Sequence, residues 1–89
     1  MPLASPEMKA EVTTRLRRIE GQVRGVERMV QEDRECPEVL QQMMAIRSAV
    51  HQASLLLARA YLACVFQEAG QDPADELLDR LMATLGKLD

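Results

Sequence analysis

Two unbroken lines of apolar residues, each stepping alternately by four and three positions, decide most of what this chain can become. The first runs Val12, Leu16, Ile19, Val23, Val26, Val30; the second runs Val39, Met43, Ile46, Val50, Ala53, Leu57, Ala60, Cys64. A repeat of that kind marks a helix laid lengthwise against another helix. A second stripe on the later stretch, Leu40, Met44, Leu55, Leu62 and Phe66, widens its apolar surface and predicts neighbours on more than one side. From Pro37 to about Glu68 such a helix is roughly 48 Å long. A chain of 89 residues cannot cover that rod alone. The expected solution is an antiparallel helical bundle shared between subunits.

Prolines and glycines set the boundaries. Pro6 marks the entry to a first helix over about residues 7–31, after an N-terminal arm over 1–6, and the polar segment Gln31 to Glu35 makes the turn. Cys36 followed by Pro37 reads as a cap and a helix start, opening a second helix over about 37–68. Gly70 closes it. Asp72-Pro73 repeats the same signal for a short third helix over about 73–87, with Leu77, Leu78, Leu81, Met82 and Leu85 apolar. Gly21 and Gly25 fall on one side of the first helix, where another backbone could approach closely. The predicted fold is therefore all-α, a single domain over 1–89 with two long helices and one short. Hydrophobic residues at 47% with aromatics at only 2% suit helix-on-helix packing and give no sign of a sheet.

Met1 to Pro6 has no apolar core of the signal-peptide kind, and no run approaches the length needed to span a membrane. A cytoplasmic protein without a membrane partner is expected. In a reducing compartment, two cysteines are more readily reactive, ligating or buried than paired in a structural disulfide.

The net charge of −3 by itself argues against a nucleic-acid binder, but the distribution argues for one. Arg15, Arg17, Arg18, Arg24 and Arg28 stand against only Glu20 and Glu27, while Asp72, Asp75, Glu76 and Asp79 gather late in the chain. A basic first helix repeated in an oligomer makes a positive stripe; a solvated helix face is the alternative. Two long helices are not the short, tightly turned pair of a helix-turn-helix reader. DNA would meet the outside of the bundle.

Cys36 is the candidate reactive centre, because a sulfur at a helix N-terminus feels its partial positive charge. Cys64 lies 28 positions later on the same helix, about 42 Å away by helix rise, so the two cannot pair within a chain. In an antiparallel dimer the Cys36 end of one helix lies near the Cys64 end of its partner; otherwise Cys64 is a small buried hydrophobe. His51, the single histidine, is about 22 Å from Cys36 and reads as a surface or interface residue. Two cysteines, one histidine and no zinc-type spacing argue against a metal or other cofactor. Tyr61 reads as a packing residue with its hydroxyl at a polar edge. With no nucleophile, base and acid set visible, an enzyme is not expected. Removal of Met1 would expose Pro2 as a secondary amine, which condenses with an aldehyde to an iminium that a thiolate can trap. Pro2 and Cys36 could so be joined by one carbon; a bare chain start is the alternative.

The run Arg15-Leu-Arg-Arg-Ile-Glu-Gly-Gln-Val-Arg-Gly-Val26, followed by Cys36-Pro-Glu-Val-Leu-Gln-Gln-Met-Met-Ala-Ile-Arg-Ser-Ala-Val50, closely resembles the CsoR/RcnR family of bacterial transcriptional repressors. The likeness covers about Met8 to Phe66. It implies an all-helical homotetramer, a dimer of antiparallel dimers, that binds operator DNA through a positive face and lets go when its cysteine site is occupied. Members respond to copper, nickel or cobalt, to persulfide, or to formaldehyde. Cys36 matches the shared cysteine. Metal sensors place a histidine where this chain has Tyr61, and commonly a cysteine or histidine where it has Val65; Cys64 falls one position before the second cysteine of copper and persulfide sensors.

The formaldehyde-responsive FrmR branch is the closest resemblance, beginning Met-Pro before a basic helix, although it usually has a histidine at the Tyr61 position. It implies a methylene bridge between Pro2 and Cys36 of neighbouring subunits. The expected function is thus a repressor released from operator double-stranded DNA by formaldehyde, with Arg15, Arg17, Arg18 and Arg47 on the DNA. The alternatives are a persulfide sensor using Cys36 and Cys64, with Tyr61 lining the site, and behind it a metal sensor.

Overall fold

The computed structural model of the chain describes residues 5–68, 70 and 75–86. Pro2 and the Asp72-Pro73 pair fall outside them. Helix α1 spans Pro6–Gln31, α2 spans Cys36–Glu68 and α3 spans Asp75–Gly86. The described residues contain no strand, as the composition predicts.

Each end of α1 is closed by a specific device. Ser5 is extended and its hydroxyl accepts the Met8 N–H at 3.1 Å, with Pro6 in the first turn, where its missing N–H costs nothing. At the other end Asp33 adopts φ 56°. The Arg34 N–H donates to the Met29 carbonyl at 3.0 Å and the Asp33 N–H to the Val30 carbonyl at 3.2 Å, which makes a Schellman turn. Glycine usually holds this left-handed position; an aspartate here bears some strain.

The cap of α2 is one residue earlier than expected. The N–H groups of Glu38 and Val39 both donate to the Glu35 carbonyl, at 3.0 and 3.2 Å, so Cys36 is the first residue of the helix and Pro37 the second. Both positions tolerate proline, since first-turn N–H groups lack intrahelical partners. The thiol therefore lies within the first turn.

α1 and α2 form a hairpin, α3 packs on α2, and α1 and α3 do not touch among the described residues. The molecule measures 55 × 27 × 16 Å. Each apolar seam divides in two. On α1, Ile19 is buried and Val12 and Val26 half-buried, whereas Leu16, Val23 and Val30 are exposed. On α2, Ala53 is buried with Val39, Ile46 and Ala60 half-buried, whereas Met43, Val50 and Leu57 are exposed. Alternate seam residues close the hairpin, and the others form apolar columns that the chain itself leaves open. Among the described apolar residues, only Ile19, Ala53 and Leu78 are buried.

One sequence expectation needs correcting. Cys36–Gln67 is long and apolar enough, at mean hydropathy 1.4, to cross a membrane by length and composition. The expectation of no such stretch looked for a continuous apolar run, and interspersed glutamines, serines and alanines hid the average. Among the described residues, nothing beyond the helix's own backbone comes within 4 Å of a Cβ built on Gly21 or Gly25, so the close approach expected there falls to another subunit.

Candidate functional site

Helix α2 works as a ruler for its own side chains. An ideal helix turns 100° per residue, so Tyr61 and Val65 return to within about 20° of the Cys36 direction, one on each side, while Cys64 is displaced by about 80°. Exposure follows this arithmetic: Cys36, Tyr61 and Val65 are exposed and Cys64 is half-buried. His51 is half-buried near the middle of the helix. The second thiol thus belongs to a different side of α2 from the first. Within one chain these groups stand at opposite ends of the rod.

Among the described residues, no three side chains drawn from His, Cys, Asp and Glu converge as metal donors within the chain. Any soft-metal site must be completed across subunits. Toward its two ends the Cys36 side of α2 offers one thiol, a phenol and an aliphatic side chain, and the exposed thioether of Met43 lies on that same side. Among the described residues Cys64 is the one other thiol, and it must rotate or be met obliquely.

The far end of α2 carries a feature that the sequence reading missed. The Arg59 guanidinium donates to Asp79 Oδ1 at 2.7 Å and lies 4.0 Å from Asp75 Oδ1. Beside it Leu78, 5% exposed, is the most buried apolar residue among those described. Together they seat α3 on the α2 segment that leads into Tyr61 and Cys64. The available signal was Arg59 itself, a cation between Leu57 and Leu62 in an otherwise apolar stretch.

The basic residues do not form one cluster. Arg15 and Arg18, three positions apart on α1, share a face and line the same surface depressions, first with Ala10, Glu11 and Thr14 and then with Gln22 and Gln52. Arg17 is turned away from Arg15 by about 160° around the helix. Arg17 and Arg18 are exposed and make no ion pair among the described residues. Arg15 is 3.8 Å from Glu11, whereas Arg24 is held by Glu20 at 2.7 Å. Arg47 is exposed on α2. Such exposed i,i+4 pairs are weak, so a polyanion can displace the glutamate from Arg15 at little cost.

Comparison with known proteins gives a consistent picture. The family described as "Metal-sensitive transcriptional repressor" matches residues 8–87. The copper-sensing transcriptional repressor CsoR of Bacillus subtilis is 38% identical over 80 residues, which is 84% of this chain and 79% of that protein. The copper-sensing transcriptional repressor RicR of Mycobacterium tuberculosis is 39% identical over 85 residues, covering 92% of this chain and 88% of that protein. Among solved structures, the copper-sensing repressor CsoR with Cu(I) from Geobacillus thermodenitrificans superposes with a TM-score of 0.69 at 31% identity, covering 99% of this chain and 93% of the other.

Proposed function

The chain belongs to the CsoR/RcnR family of metal-sensitive transcriptional repressors, and from that membership we propose an oligomeric repressor that leaves operator DNA when an effector engages Cys36. The observation that carries this reading is the placement of Cys36: an exposed thiol in the first turn of α2, at one end of an uncovered apolar column. Residues 1–89 act as one domain, and the working unit is a homotetramer of antiparallel dimers. The open columns support this assembly. So does the accessible surface of 6874 Å², roughly 1,600 Å² above the ~5,200 Å² typical of a folded monomer of this mass.

The leading effector is a soft metal of the Cu(I) class, because both curated relatives above are named for copper sensing. Thiolates suit Cu(I). Cys36 of one subunit and Cys64 of the partner subunit are the thiols available, brought near one another where two α2 helices run antiparallel. Cys64 then has to make up its turn of about 80°, which left-handed supercoiling of paired helices supplies, since it holds a seven-residue repeat in line.

Formaldehyde is the second reading, of the FrmR type. It is favoured by the absence of any imidazole or second thiol on the Cys36 side, where Tyr61 and Val65 stand. In that reading the Pro2 amine and formaldehyde lose water to form an iminium, and the Cys36 thiolate of a neighbouring subunit adds to its carbon, closing an N–CH2–S bridge. Arg15, Arg17, Arg18 and Arg47 contact DNA phosphates in either case.

Release of an operator fragment recovered by in vitro selection, assayed with Cu(I), formaldehyde and polysulfide in turn, tests the choice. Intact and native mass spectrometry identify the adduct as a copper ion, one carbon atom or added sulfur. Copper on the tetramer with DNA release supports the leading reading. A one-carbon gain with release, and no response to copper, replaces it with the second; release unaffected by loss of Cys36 removes both.

A further inference from the structure

A cleft of about 110 Å³ lies between α1 and α2, lined by Arg15, Arg18, Ile19 and Gln22 from α1 and by Ala49 and Gln52 from α2. Its floor is apolar, Ile19 being 9% exposed. Arg15, Arg18 and Gln22 follow one another at three and four positions on α1, which puts them on one face, and Gln52 joins them from α2. One atom in this setting is anomalous. Gln22 Oε1 is shut off from solvent and has no hydrogen-bond partner, the single such side-chain atom among the described residues. A carbonyl oxygen left in that condition is destabilising, because its hydration is lost and nothing replaces it.

We propose that this cleft is a phosphate seat, in which Arg15 and Arg18 supply the charge and the amides of Gln22 and Gln52 fix the position of one phosphate group. An amide presents an acceptor on one side and two donors on the other, and a half-turn of its plane exchanges them. With that half-turn the Gln22 N–H groups face the cleft, and the unpartnered oxygen leaves its enclosed position. An anion between two guanidinium groups supplies the acceptor that makes the half-turn favourable. The Arg15 head group is available because its ion pair with Glu11 is long and solvent-exposed.

This seat deepens the DNA-binding reading above and rests on it, since the phosphate in question is one of the duplex backbone. It assigns Gln22 and Gln52 a positioning role that charge alone would not reveal. A free phosphate presents the same chemistry, and the two sources are separable.

The test uses the full chain and a mixed-sequence DNA duplex, because a phosphate contact is sequence-independent. Gln22→Ala and Gln52→Ala should each weaken binding about 2- to 10-fold, the usual range for one hydrogen bond. Neither should change the slope of log affinity against log salt, because a neutral amide releases no counterion. Arg15→Ala and Arg18→Ala should each reduce that slope by about one for every subunit that touches the duplex. Unchanged slopes in the arginine variants defeat the DNA-interface reading. Reduced slopes there, with wild-type affinity in both glutamine variants, defeat the seat alone.

Side-chain amide resonances of Gln22 and Gln52 in the unaltered protein give a measurement that no folding defect can blur. Adding the duplex should shift both. A shift with inorganic phosphate at constant ionic strength as well means that the seat takes the free anion too, whereas a shift with DNA alone assigns it to the backbone. Resonances that move with neither overturn the proposal.

Discussion

The two ends of helix α2 carry one cysteine each and are otherwise unlike. At the first end Cys36 is exposed in the opening turn, next to a tight Schellman connection, with no third element packed on it. At the other end Cys64 is half-buried, and α3 is clamped close by through Leu78 and the Arg59–Asp79 pair. An accessible thiol in the first turn of a helix is free to react or ligate; a half-buried one packs until something turns it outward. The contrast teaches that two cysteines 28 residues apart on one helix need not be two halves of one device.

The largest expected effect is at the first end. Cys36→Ala should keep DNA binding and abolish effector-driven release, read by fluorescence anisotropy of the operator fragment. Cys64→Ala should leave release intact if formaldehyde is the effector and weaken it if copper is, so the same measurement tells whether the asymmetry of the two ends is functional. Next in size is Leu78→Ala at the second end. Deleting a buried leucine typically costs about 2–5 kcal/mol, and the loss should appear in chemical denaturation, together with faster hydrogen exchange across 75–86.

Asp33→Gly tests the connection at the first end. Relief of the left-handed strain should stabilise the protein by up to about 1 kcal/mol, and Asp33→Val should destabilise it. The smallest effect is expected of Asp79→Asn, which breaks a charge pair whose carboxylate is 71% exposed. At about 0.2–1 kcal/mol for such pairs, it should be measurable only at low salt. A much larger loss would mean that the clamp, and not Leu78, holds α3.

Much of this architecture was legible because a 3.5-residue repeat leaves few alternatives to paired helices. Proline marked the starts of α1 and α2 to within a residue. The misplacement of the α2 cap came from reading Pro37 as the first helical residue, although a first turn accepts proline at its second position equally well. The division of each seam was not legible. Val23 and Val26 look the same in sequence, and only the hairpin decides which of them is covered.

At the candidate site, the identity of Cys36 and the basic character of α1 could be read directly. Tyr61 and Val65 on the Cys36 side follow from 100° per residue, whereas the heptad line alone puts Cys64 there. The Arg59 clamp and the Gln22 cleft depend on contacts between helices, which a list of residues along one helix does not contain.

The 33-residue length of α2 also limits how this gene can change. One residue inserted between Cys36 and the Arg59 region would swing everything beyond it by 100°, carrying Tyr61 and Val65 off the thiol's side and breaking the register of α2 against α1 at the same stroke. Lineages of this protein should therefore vary freely in the length of their termini and hold the spacing within α2 fixed, with any surviving insertion there arriving as whole heptads.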